Sequence, residues 1–139
     1  VLEVPMTNKK TSGAKAARTK RINSTIAATI EKMEAMGVYK TEFDDTIRRY
    51  AEVVDEYETQ YPAWLENGAK LTVLIPNSSG LMVEKKNPVY AAIQEIRTEI
   101  RNCEDKLGLS PKALQAMKKK GLESAKASAL DLALQKMMT

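Results

Sequence analysis

Four acids crowd one stretch of the chain: Glu52, Asp55, Glu56 and Glu58. Carboxylates this dense could hold Mg²⁺ for a nuclease-type hydrolysis. At helical spacing they lie opposite Tyr50, Val54 and Tyr57, and no motif ties them to a carboxylate elsewhere. A solvated helix face is therefore the expectation. Arg48 and Arg49 stand at i,i+3 and i,i+4 from Asp44, Asp45 and Glu52, which suits ion pairing along a helix better than phosphate binding. The chain has one cysteine, Cys103, and no histidine. That excludes Ser-His-Asp and Cys-His nucleophile systems, His-metal motifs, a Cys-based zinc site and an internal disulfide. Cys103 falls on the apolar stripe of Ile96, Ile100 and Leu107 and is expected as a small core residue. No Gly-x-x-x-x-Gly-Lys-[Ser/Thr] loop is present. No catalytic residue, metal or cofactor is expected.

Charge is the stronger signal. The 139 residues include 22 Lys or Arg and 18 Asp or Glu, a net charge of +4. From Val4 to Ile30 there are six bases (Lys9, Lys10, Lys15, Arg18, Lys20 and Arg21) and no acid. From Glu31 to Ala69 there are ten acids and four bases. From Gly108 to Thr139 there are six bases, including Lys112 and the run Lys118, Lys119, Lys120, against two acids. Basic ends suit nucleic acid, because neutralised phosphates release counterions. Opposite charge blocks also suit assembly of one subunit on the next. The lysine run is read at a helix end, where it would also complement the helix dipole.

The elements that must carry these charges are mostly helices. At 43% hydrophobic and 29% charged, the chain can bury a core. No apolar run approaches the roughly 18 residues of a membrane span, so no membrane partner is expected. The start lacks the apolar stretch of a secretory signal, and a single cysteine fits a cytosolic setting. Val1 to Pro5 precede Met6, a candidate native start, and are left out of the fold expectation. Residues 1–21 lack apolar periodicity and are read as a flexible basic arm. A helix is expected from Asn23 or Ser24 to Gly37, with Ile22, Ile26, Ile30 and Met33 on one side. A long helix follows from Thr41, its apolar stripe running Phe43, Ile47, Tyr50, Val54, Tyr57, Tyr61, Trp64. Its aromatic residues are expected to pack in the core or between subunits and not to stack on bases. Pro62 is a candidate kink or stop. A β-hairpin is expected at about 70–84, turning at Pro76–Gly80. Asn87-Pro88 starts another long helix, with Val89, Ile93, Ile96, Ile100, Cys103 and Leu107 on one face. Ser110-Pro111 starts a short helix that stops near Gly121, and 122–139 form a C-terminal helical tail. The whole reads as a mainly α core over 22–121, a helical hairpin plus a long helix with a small β-hairpin. Aromatic and methionine surface left over would favour self-association.

The string Asn67-Gly68-Ala69-Lys70-Leu71-Thr72-Val73, the hairpin, Lys86-Asn87-Pro88-Val89-Tyr90, and a helix closing in Gly108-Leu109-Ser110-Pro111 resemble phage terminase small subunits. The resemblance covers roughly Ile22 to Lys120, and the Gly-Leu-Ser-Pro run is its most specific part. One departure is Lys112-Ala113-Leu114, where related chains often carry Arg-Ala-Arg-like residues. The resemblance implies a homo-oligomeric ring that binds double-stranded viral DNA at the packaging start. It also implies a terminase large subunit as partner, whose ATPase and nuclease the ring regulates without catalysing anything itself, in the cytoplasm of the infected bacterial host. The expected DNA contacts are Lys9, Lys10, Lys15, Arg18, Lys20, Arg21, Lys112, Lys118, Lys119 and Lys120. A head-to-tail adaptor of the phage particle, also helical and oligomeric, is the alternative, and a metal-dependent nuclease a remote one.

Overall fold

The computed structural model describes residues 3–138, with side chains from Gly13 onward. The element order is α1 (Glu3–Ala35), a 3-10 turn (Thr41–Phe43), α2 (Asp44–Glu66), β1 (Thr72–Pro76), β2 (Met82–Lys86), α3 (Pro88–Leu107) and α4 (Pro111–Met138). The fold is mainly helical with one small antiparallel sheet, as the periodicities suggest.

Two boundaries differ from expectation. The segment read as an arm is helical, for α1 begins at Glu3 and not at Asn23 or Ser24. Its Ala, Lys and Arg residues are good helix formers, and a stretch with nothing to bury needs no apolar stripe. Residues 13–20 are all exposed. The second change is at the other end, where α4 runs unbroken through Gly121 to Met138. A helical glycine costs about 1 kcal/mol, too little to end a helix flanked by Lys, Leu, Glu and Ala. Pro62 likewise lies inside α2 without ending it.

The turn between α1 and α2 is set by a glycine cap. Gly37 takes φ 74°, a left-handed conformation open to a residue without Cβ. The Gly37 N–H donates to Glu34 O and the Val38 N–H to Met33 O, each at 3.0 Å. Val38 then packs on the Met33 cluster, so the cap and the core share a residue. From there α2 returns along α1, and α3 packs on α2.

The apolar stripes meet in one seam. Met33, Ile47 and Leu107, one from each of α1, α2 and α3, are fully buried and touch Ile30, Phe43, Tyr50 and Leu109. Ala51, Val53 and Ile93 are also fully buried, with Ile96 and Cys103 nearly so. Buried Thr29 donates its hydroxyl to Thr25 O at 2.7 Å, so it adds no unpaired polar group to the seam.

A two-stranded hairpin is marginal by itself, and this one is anchored at its root. Strands pair from Thr72↔Lys86 to Pro76↔Met82. Lys70 O accepts from Trp64 Nε1 at the end of α2 and from Asn87 Nδ2, each at 2.9 Å. Asn87 also caps α3, its Oδ1 accepting the Val89 N–H at 3.0 Å. Asn87 thus ties the hairpin root to α3, and Trp64 ties it to α2.

The Gly108–Pro111 run is a joint between helices. Gly108 takes φ 71° at the end of α3, and the Leu109 N–H donates to Glu104 O at 2.9 Å. Ser110 Oγ donates to Asp105 at 2.9 Å and accepts from the Ala113 N–H at 3.3 Å, capping α4. Pro111 supplies the first helical φ without needing its missing N–H.

Replacing Ile93 by Ala should lower stability by about 2–5 kcal/mol, by lost transfer energy plus cavity. Urea unfolding should show a lower midpoint at unchanged slope. An unchanged midpoint would mean that the α2–α3 seam does not carry the fold.

Candidate nucleic-acid interface

The expected DNA contacts divide into three environments. Lys9 and Lys10 belong to the backbone of α1, and their side chains lie outside the described residues. Lys15 and Lys20 are exposed on α1, and Lys112 and Lys119 on α4. Arg18 and Arg21 are partly committed elsewhere. Spaced three apart, they share a helix face, and both reach Asp55 on α2: Arg18 Nε to Oδ2 at 3.3 Å, Arg21 Nε to Oδ1 at 2.7 Å. The Asp55 side chain is 6% exposed, while the arginines keep 51% and 52%. The hydrogen bond from Arg21 to Asp55 pushes the guanidinium pKa up.

Asp55 is therefore not part of a solvated acidic face. It sits on the side of α2 that also buries Ile47 and Ala51, at steps of four. A buried carboxylate needs donors, and the two α1 arginines provide them. The acidic cluster is thereby split. Among the described residues no group of three or more Asp, Glu or Cys could hold a metal ion. Arg49 pairs with Glu52 at 3.5 Å as expected, but its shorter contact, 2.6 Å, is to Glu99 on α3.

The lysine run also changes setting. Because α4 continues past Gly121, Lys118–Lys120 stand mid-helix, so a helix-end dipole does not account for them. Lys118 and Lys120 line a cavity of about 840 Å³ together with Lys40 and Lys106. Sequence reasoning missed the latter two. Lys40 precedes α2 and Lys106 closes α3, and nothing local links positions 40, 106 and 118. No carboxylate is among the residues lining this cavity.

The aromatic side chains stack on one another. Tyr57 and Tyr61 are 5.3 Å apart at 11°, Tyr61 and Trp64 5.9 Å at 36°, and Trp64 and Tyr90 5.3 Å at 28°. Arg97 covers Tyr57 and Tyr61, and Lys86 covers Tyr90, at cation–π distances. The four rings are half-buried and join α2 to α3 beside the hairpin root. Cys103 is buried, and desolvation pushes its thiol pKa above the ordinary 9.0. That environment opposes thiolate formation and hence nucleophilic use.

A family described as phage terminase, small subunit, matches residues 27–124. The chain belongs to the phage terminase small-subunit family. That membership gives it a role in phage DNA packaging, in the terminase subunit that is generally non-catalytic and associates with DNA and the large subunit. No curated protein and no solved structure matches the chain. The part shared with terminase small subunits runs from α1 through the seam, the hairpin and the Gly108–Pro111 joint to Lys118–Lys120. Lys9 to Arg21 precede it. No helix among the described residues is long and apolar enough to cross a membrane.

Two outcomes test this geometry. Asp55→Ala should release the Arg18–Arg21 turn of α1 from α2, and amide exchange over residues 18–25 should accelerate about tenfold, roughly one charged hydrogen bond's worth of protection. Equal acceleration throughout α3 would show instead that Asp55 supports the whole seam. Cys103 should react with a thiol reagent at least about a hundredfold faster in urea than in the folded protein. Comparable rates would contradict its burial.

Proposed function

We propose that this chain is the DNA-recognition and regulatory subunit of a phage terminase. It binds double-stranded viral DNA at the packaging start as a homo-oligomeric ring and regulates the large subunit's ATPase and nuclease, in the host cytoplasm. The observation that carries this reading is the family match over residues 27–124, joined to exposed cations on α1. The phosphate contacts we assign first are Lys9, Lys10, Lys15 and Lys20. Arg18 and Arg21 add to them with the half of each side chain that Asp55 leaves open. Lys112 and Lys118–Lys120 form a second surface that attracts anions.

Repetition is central to the mechanism. A few phosphate contacts per subunit are weak, but copies arranged around a ring act at high effective concentration. Self-association is supported by apolar surface that one subunit leaves uncovered. Leu74, Leu81 and Met82 on the hairpin are exposed, as are Leu130, Leu132 and Leu134 on α4. Sequence preference would come in part from duplex shape and deformability.

Deleting the start of α1 would also remove the arginines that hold Asp55, so substitution is the cleaner test. Lys9, Lys10, Lys15 and Lys20 changed together to Gln should weaken duplex binding and flatten its salt dependence by about 0.9 in slope for each phosphate no longer neutralised. Light scattering at low and high salt should show the same oligomer for both proteins. An unchanged salt slope would remove α1 from the interface. A monomer at every salt concentration would remove the ring.

A further inference from the structure

The cavity between the α1–α2 turn, the end of α3 and the middle of α4 combines two properties that DNA does not match together. Its charge is wholly positive, from Lys40, Lys106, Lys118 and Lys120. Its floor is hydrocarbon, made by Val38, Phe43, Met117 and Leu122. Val38, Phe43 and Met117 are half-buried, and Leu122 is 63% exposed. A phosphodiester backbone seated there would satisfy the lysines but lose water against an apolar floor, a costly exchange for a charged group. An acidic amphipathic helix meets both demands, with its apolar side chains on the floor and its carboxylates at the lysines.

The α4 side of the cavity is also shaped for a second backbone. Gly121 and Ser124, at i,i+3, both line it and add almost no bulk. A Cβ built on Gly121 meets nothing within 4 Å, so no contact inside the subunit accounts for this glycine. A mid-helix glycine costs stability, and close approach by another chain is a use that offsets it.

We propose that this cavity is a docking site for an acidic amphipathic helix of a partner protein. The proposal goes beyond the DNA-contact reading and does not depend on Lys9–Arg21. It assigns Lys118 and Lys120 to carboxylates, not to phosphates.

The test uses the full chain and a labelled, end-capped peptide of about 15 residues, with Leu at three- and four-residue spacing flanked by Glu. Anisotropy should report saturable binding. The charge reversal Lys118→Glu/Lys120→Glu and, separately, Leu122→Ser should each weaken it by about tenfold, the usual size for a central anchor. All three positions are exposed, so both variants should keep the wild-type circular dichroism and oligomer size. A peptide with Ser in place of Leu should bind much more weakly than the parent. In the same samples, a duplex of about 20 base pairs should bind the Leu122→Ser protein as it binds the wild type. No peptide binding, or binding unmoved by either variant, would overturn the proposal. So would a duplex that displaces the peptide and loses affinity on Leu122→Ser, which would make the cavity a DNA site. Duplex binding that survives while peptide binding is absent would reject the docking site and leave the DNA reading standing.

Discussion

Every element of this fold takes its position from the apolar seam where α1, α2 and α3 meet. Met33, Ile47 and Leu107 close it, and the two glycine caps at Gly37 and Gly108 direct the chain into and out of it. The hairpin has no core of its own and borrows its footing from Trp64 and Asn87 at the ends of the two long helices. α4 leaves from Gly108–Pro111, the point at which α3 runs out of seam. Where burial stops, helices continue for lack of any reason to end, and residues 13–20 of α1 and 118–138 of α4 are exposed.

Charge is partitioned over the same framework. Three acids of α2 and α3 are ion-paired within the subunit: Asp55 by two arginines, Glu52 and Glu99 by Arg49. Lys15 and Lys20 on α1 and Lys112 and Lys118–Lys120 on α4 are exposed. On those stretches the available surface is more positive than the net charge of +4 conveys. It is on that available surface that a polyanion or an acidic partner would act.

Much of this was legible from residues. Steps of three and four gave the buried face of α3, Asn87-Pro88 and Ser110-Pro111 marked true helix starts, and alternation located the hairpin; on α2 only Ile47 of the expected stripe is fully buried, and Ala51, Val53 and Asp55 make up the rest of the buried face. Two kinds of feature were not legible. The α1 start and the α4 continuation were missed because apolar periodicity reports burial, and helices without burial leave no such mark. The Asp55 clamp and the four-lysine cavity were missed because their members lie far apart in sequence and are joined only by packing. Arg18 and Arg21 at i,i+3 were the available hint, had α1 been extended that far. Asp55 itself sat at i+4 from Ala51 and i+8 from Ile47, a spacing that placed it on a buried face.

The helicity of the N-terminal segment changes what kind of ligand contact it can make. A tether finds phosphates by searching, and ordering it costs about 1–2 kcal/mol per residue. Residues 3–21 instead form a rod of roughly 28 Å, at 1.5 Å per residue. Its backbone positions keep fixed intervals, over a length comparable to about eight base pairs of duplex at 3.4 Å each. On the proposed reading of α1 as a phosphate-contacting segment, such a rod would act as a gauge, rewarding a duplex whose phosphates fall in step with it over one that is over- or underwound. Torsion in the DNA, as much as its sequence, would then be a quantity that such a subunit reads.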